Sequence, residues 1–379
     1  MDLKFTEEQE MMRKMVRDFA QKEVAPIAAE IDEKGVVPFE NIKKMAKLGL
    51  LGLTVSEQYD GCGADAVSYV IAIEELAKAC ASTAIVLAVQ NSLVCAGIEK
   101  FGSEDQKQKY LRPLARGEKI GSFALTEPGA GCDAAAQTTT AVRDGDYYLI
   151  NGTKHFITNG GFADVVILFA MTDKTQKSRG ISAFIVERTL PGFSSGKEEH
   201  KMGIRGANTS ELVFTDMRVP AANLMGAEGQ GFKIALTMLD GGRIGVAAQA
   251  VGIAQAALDA AVKYSKERVQ FGKPICEFQA IQWMLADMGT RVEAARLLTY
   301  QAALKKQTGE RFSKEASMAK LFASETAVWV VDRSMQIHGG YGYMKEYPIE
   351  RYYRDAKITE IYEGTSEVQR MVISRALLD

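Results

Sequence analysis

At 379 residues the chain is too long for a single apolar core, so two or three domains are expected. With 47% apolar and 25% charged residues and a net charge of −2, it reads as a soluble globular protein. That balance excludes a general attraction to nucleic acid or anionic membrane, though not a local basic patch. Five cysteines (Cys62, Cys80, Cys95, Cys132, Cys276) have no CxxC spacing, and three isolated histidines (His155, His200, His338) form no HExxH. Reduced thiols in a cytoplasm fit this pattern; a disulfide framework or a zinc site does not. The N-terminus has no basic-then-apolar signal, and no apolar run reads as long enough to span a membrane.

From Thr6 to about Gly117 the pattern is helical. Thr6 and Gln9 form a capping box, and Met12, Met15, Val16 and Phe19 keep helical spacing behind it. Further helices are expected over residues 39–51, 67–79 and 103–114. Between about Ile120 and Glu228 short β-rich runs take over at 147–150, 165–170, 181–186 and 211–214, with Asp144-Gly145 as a hairpin turn. This zone reads as a small antiparallel β-domain. From Gly231 the helical period returns over 232–269, 278–306 and 313–337, and in a segment starting near Ser366, where Gln369 completes a second capping box. Four such segments suggest an antiparallel bundle. The domains are set at 1–119, 120–228 and 229–379.

Several loops carry chemistry. FALTEPGAGCD (123–133) offers small residues over which a ligand can approach the backbone, and Thr126 supplies a hydroxyl; it also reads as a plain domain-boundary turn. It is not a GxGxxG after a strand, so no Rossmann site is indicated. NGTKHFITNGG (151–161) offers Phe156 as a flat apolar wall and Thr158 as an anchor for a planar ring, or simply a hairpin. In ERVQFGKPICEFQ (267–279), Arg268 either complements a helix dipole or is aimed at phosphate. QIHGGYGY (336–343) stops a helix, or packs its glycines on a ligand; His338 reads as structural. In TEIYEGTSEVQR (359–370), Glu363 falls in a loop before a helix N-terminus, where an acid is comfortable without any special function.

Taken in order, LTEPGAG, FITNGG, RVQFG, QIHGGYGY and IYEGTSE resemble the acyl-CoA dehydrogenase flavoprotein family over essentially the whole chain, most closely its short-chain, butyryl-CoA members. The resemblance implies an α+β fold: an N-terminal all-helical domain, a middle antiparallel β-barrel and a C-terminal four-helix bundle, assembled as a homotetramer (a dimer of dimers). It implies FAD, with Phe123, Leu125, Thr126, Phe156 and Thr158 against its ring system. Arg268, Phe271, Gln279, Gln336, Gly339 and Gly340 would contact the FAD tail of a neighbouring subunit, and Thr365 and Glu367 would complete the cofactor site. Asp240 and Arg243 match positions that hold the CoA part of the substrate, with Cys132 and Gly364 beside them.

The same resemblance implies that Glu363 is the base that removes the α-proton of an acyl-CoA thioester while a β-hydride passes to flavin N5 and the electrons continue to electron-transferring flavoprotein. Such a proton is weakly acidic, so the base must be a desolvated carboxylate with a raised pKa. The Glu363 N–H and a flavin hydroxyl would steady the thioester oxygen.

Some positions depart from the family pattern. Cys132 and Ala207 stand where many members have serine, and Phe156 where relatives often have tryptophan. Gly242 occupies the position from which isovaleryl-type and long-chain members present their base, which favours a straight-chain substrate. No arginine occurs in TAIVLAVQNSL (83–93), against a dicarboxylic substrate; Gln90 and Asn91 of that stretch are expected near the pocket. Alternatives are a dehydrogenase for a cyclic or other unusual acyl group, an oxidase, and a flavin-containing nucleic-acid-binding relative, which the charge-mixed C-terminal region disfavours.

Overall fold

The computed structural model describes residues 4–379. Helix α1 (Glu7–Phe19) begins at the expected capping box: Thr6 Oγ1 accepts from the Gln9 N–H at 3.2 Å, and Gln9 Oε1 from the Thr6 N–H at 3.1 Å. α2 (Ala28–Lys34) and α3 (Phe39–Lys47) follow. α4 (Ala66–Ala79), capped by Asp65 on the Ser68 N–H at 2.6 Å, is buried along almost its whole length. α5 (Ala81–Ala88) runs through a π-helical segment, Val89–Cys95, into α6 (Ala96–Phe101). The sequence pattern predicts no helix there, because a segment apolar on every side has no 3.6-residue alternation to detect. α7 (Glu104–Gln106) and α8 (Arg112–Ala115) flank another π-helical segment, Lys107–Leu111.

Eight strands form the middle layer: β1 (Gly121–Ala124), β2 (Thr140–Asp144), β3 (Tyr147–Thr158), β4 (Val165–Met171), β5 (Ile181–Glu187), β6 (Phe193–Glu198), β7 (Thr209–Pro220) and β8 (Leu224–Met225). They lie in one sheet in the order β6-β7-β3-β2-β4-β5-β8, with β1 beside β4. The expected hairpin joins β2 to β3 with Asp144 opposite Tyr147 and Gly145 at φ +58°. Most ladders are antiparallel, but β1 pairs with β4 in parallel, and no ladder closes the sheet between β6 and β8. Tyr148, Ile150, Phe184, Leu212 and Phe214 form an apolar core of the sheet's own.

The C-terminal part holds α9 (Gly231–Glu267), a short hairpin of β9 (Val269–Gln270) and β10 (Lys273–Pro274), then α10 (Gln279–Gln307), α11 (Ser313–His338), α12 (Ile349–Ile358) and α13 (Ser366–Leu378). α9, α10, α11 and α13 are the four expected segments. Gly252 lets α9 lie directly on α4: a Cβ there would meet the Glu74 carbonyl oxygen at 2.6 Å. α12 is unanticipated, and it ties the layers together. Arg354 grips Asp32 of α2 at 2.6 and 2.9 Å, and Asp355 accepts from the Ile204 N–H at 2.5 Å.

Two sequence expectations are corrected. Residues 81–101 and 231–267 are long and apolar enough in composition to cross a membrane, contrary to the reading that no run is. Their apolar windows are 94% and 72% buried inside the fold. The cap of α13 is Thr365, not Ser366: Thr365 Oγ1 faces the Val368 N–H at 3.5 Å, and Ser366 is already the first helical residue.

Candidate active site

The loop before α13 turns sharply. Glu363 has φ +53° and Gly364 φ +92°, which aims the Glu363 side chain back at α9. There Gly242 makes room for it: a Cβ on Gly242 would fall 2.0 Å from Glu363 Oε2 and 2.9 Å from Leu93 Cδ2. Burial pushes the Glu363 carboxyl up to about 7, against the opposing pull of Lys320 and Arg243. Next to the carboxylate's seat in the chain, Arg243 donates to Asp240 at 2.8 Å and to Ser317 Oγ at 3.4 Å, while the Ser313 hydroxyl also bonds Asp240. Buried polar atoms without a partner gather here: Glu363 Oε2, Arg243 Nε, Ser366 Oγ and Gln369 Oε1. The Glu363 N–H likewise donates to no acceptor among the described residues. A dry carboxyl that titrates near neutrality, beside unused donors, is what proton abstraction requires.

A second surface faces this loop from the sheet. Cys132 Sγ lies 3.9 Å from Thr365 Oγ1, so the 123–133 loop reaches the loop that carries Glu363. Leu125 and Thr126 are held from behind. The Thr126 carbonyl accepts from the His155 N–H at 2.8 Å, and the fully buried Lys154 donates to the Leu125 carbonyl at 3.0 Å, Glu127 Oε1 at 2.8 Å and Gln137 Oε1 at 3.0 Å. Just past Lys154, β3 bulges against β7, and Phe156 takes φ +58°. The bulge interrupts the inward-outward alternation and leaves the Phe156 ring 61% exposed next to the loop. Thr158 closes β3 opposite Thr209, and the Phe123 ring rests 4.9 Å from Phe169.

The Lys154–Glu127 pair also carries stability. Lys154→Met would leave the Glu127 carboxylate buried without its cation, and a loss of about 3–5 kcal/mol is expected in urea unfolding. Adding Glu127→Leu should recover only part of that loss, because Glu127 also accepts from the Thr138 N–H and hydroxyl and from the buried Thr139 N–H. A single variant as stable as wild type would remove the argument.

Arg268, Phe271, Gln279, Gln336, Gly339 and Gly340 gather at the other end of the bundle. Arg268 lies 5.5 Å from the Tyr341 ring. Phe271 and Gly272 make the β9–β10 turn with φ +52° and +81°, and the Phe271 ring is 94% exposed. No hydrogen bond, ion pair or ring contact joins this group to the base loop among the described residues. Glu367 is exposed in the first turn of α13.

Family models for acyl-CoA dehydrogenases match in chain order: the N-terminal domain over residues 6–118, the middle domain over 122–217 and the C-terminal domain over 229–378. The chain belongs to the acyl-CoA dehydrogenase family. It is 56% identical over 374 residues to a short-chain-specific acyl-CoA dehydrogenase of Clostridium acetobutylicum, covering 99% of both chains. It superimposes on butyryl-CoA dehydrogenase from Megasphaera elsdenii with a TM-score of 0.99, at 54% identity and over all of both chains. A chain solved in work on the electron transferring flavoprotein of Acidaminococcus fermentans and flavin-based electron bifurcation matches equally well, at 55% identity, with full coverage and a TM-score of 0.99.

Within this acyl-CoA dehydrogenase, sequence reading missed three residues. Lys154, Lys320 and Gln369 are buried polar groups that touch the two loops. Only Lys154 left a signal, because alternation along β3 places it inward with Tyr148 and Ile150. Gln90 and Asn91, expected near the pocket, lie in the segment that brings Leu93 to Gly242, and their side chains bond the backbone. Gln90 bridges the Leu114 carbonyl and the Gly121 N–H, and Asn91 bonds the Leu50 and Leu87 carbonyls.

Proposed function

We propose that this acyl-CoA dehydrogenase is an FAD-dependent enzyme for short straight-chain acyl-CoA thioesters, with Glu363 as the α-proton base and electron-transferring flavoprotein as the electron acceptor. The observation that carries the reading is the buried, unpartnered Glu363 carboxyl with its pKa near 7. Relatives named for short-chain acyl-CoA and butyryl-CoA support the substrate class, and the A. fermentans match supports the acceptor.

FAD fits the residues present. Phe156 offers an exposed ring, Thr126 and Thr158 offer hydroxyls, and Gly129 and Gly131 leave open space over the 123–133 loop. When bound it would supply the acceptor for the two electrons of the β C–H bond. Gly339 and Gly340 also face open space, and the solvent-facing Phe271 needs a covering surface; both support the FAD tail of a second subunit in a homotetramer. Five free cysteines support a reducing, cytoplasmic setting.

The chain's own residues do the rest. Above pH 7 Glu363 is a carboxylate in a dry site, strong enough to take an α-proton that it could not take in water. Its free N–H is available to the thioester oxygen as negative charge develops there. Asp240 and Arg243 are fixed by each other and by Ser313 and Ser317 at the edge of the site, where the CoA part would lie.

The test is the visible spectrum of purified protein titrated anaerobically with butyryl-CoA, octanoyl-CoA and isovaleryl-CoA. A flavin band that bleaches first with butyryl-CoA is expected. No flavin, even after FAD is added, would overturn the cofactor. A bound flavin bleached by none of the three would overturn the substrate class.

A further inference from the structure

The base loop holds two consecutive residues in the left-handed region, and the first is not glycine. A left-handed glutamate is strained by roughly 1–2 kcal/mol, so something must keep it there. The clamp is on the next residue. The Gly364 carbonyl accepts from Lys320 Nζ at 2.8 Å and from Gln369 Nε2 at 2.8 Å, and the same amide reaches the Glu363 carbonyl at 3.3 Å. With both carbonyls turned toward α11 and α13, the Glu363 N–H is left free.

Lys320 is the unusual member. It comes from within α11, is fully buried, and among the described residues makes no salt bridge within 4 Å and one hydrogen bond, to that carbonyl. A buried ammonium satisfied only by a backbone oxygen is costly, and a methionine would fill the same space without that cost. The nearest use for its charge is Glu363.

We propose that Lys320 is the positioning residue of the catalytic loop: its ammonium pins the Gly364 carbonyl, keeps Glu363 in its left-handed turn, and holds the Glu363 side chain in its carboxylate form. The inference rests on Glu363 being the base.

The charged and titratable surroundings are few. From α9 come Arg243 and Asp240, from α4 Tyr69, from α11 Lys320, and from the loop itself Tyr362 and Glu360, with Glu367 in the first turn of α13. Burial raises Glu363; Lys320 opposes that most strongly and Arg243 next. Removing the ammonium therefore raises Glu363 further, so less carboxylate remains at neutral pH.

The experiment compares flavin-loaded wild type with Lys320→Met, Lys320→Gln and Lys320→Arg, measuring kcat/KM for butyryl-CoA from pH 5.5 to 9.5 and the melting temperature of each. In both neutral variants the acid limb should move up by at least about one pH unit. Activity at pH 7 should fall at least about fivefold and recover toward pH 9. Lys320→Arg should keep the wild-type limb. An unmoved limb in the neutral variants, or uniform loss at every pH, overturns the proposal. So does failure of both neutral variants to fold while the arginine variant folds, which would make the lysine purely structural. A wild-type enzyme with no acid limb would instead remove the reading of Glu363.

Discussion

Glu363→Gln is expected to lower kcat by at least about a hundredfold and, at the same time, to remove a pH-dependent loss of stability. The activity loss follows from replacing the base with an amide of the same shape. The stability effect follows from the raised pKa. A folded carboxyl at about 7 against an ordinary 4.5 favours the folded state while it is protonated. That contribution is fully present below about pH 4.5 and is lost as pH rises through 7, by about 3 kcal/mol in all. Wild type should therefore weaken relative to Glu363→Gln between pH 4.5 and pH 8 in urea unfolding. Parallel stability profiles would mean that the carboxyl is not desolvated, and near-wild-type turnover would mean that it is not the base.

Gly242→Ala should separate fold from function in a different way. The clashing groups, the Glu363 carboxyl at 2.0 Å and Leu93 Cδ2 at 2.9 Å, are both ends of flexible side chains, so the helix can accept the methyl group by pushing the carboxyl aside with a small shift of Leu93. Alanine also favours a helix interior over glycine by about 1 kcal/mol. The variant should fold at near wild-type stability or above it, with flavin retained. Its kcat should nevertheless fall by about a hundredfold, since a base displaced by 1 Å or so no longer meets its proton. Unchanged kcat would show that the glycine is there only for packing. A collapse in stability would put the clash in the backbone, contrary to the geometry.

These two residues also mark the limit of sequence reading. Glu363 was singled out by the resemblance of its YEGT run to a known family; locally only the turn was legible, because a glycine able to take φ +92° and a helix start lie side by side in the chain. The helical zones at either end and the β2–β3 hairpin were legible for the same reason, since 3.6-residue periodicity, the Thr6–Gln9 box and a Gly turn act between near neighbours. Even locally there was a one-residue ambiguity at α13. Thr365 and Ser366 both carry a capping hydroxyl, and only the left-handed Gly364 before them makes Thr365 the cap.

What surrounds the base depended on packing across the chain. Gly242 read as the absence of a base, whereas the folded chain makes it the space in which Glu363 sits. Lys320 finds the Gly364 carbonyl 44 residues away, and Cys132 finds Thr365 across 233. A lysine in a helix pattern looks solvated, and only the close approach of α11 to the loop before α13 makes it a buried cation. By itself, then, the sequence determined the order of helical and β zones and the main elements, and its resemblance to a family pointed to Glu363. The tertiary structure decided how dry that carboxylate is and which groups hold it, because desolvation and buried charge depend on what lies near in space, not on what lies near along the chain.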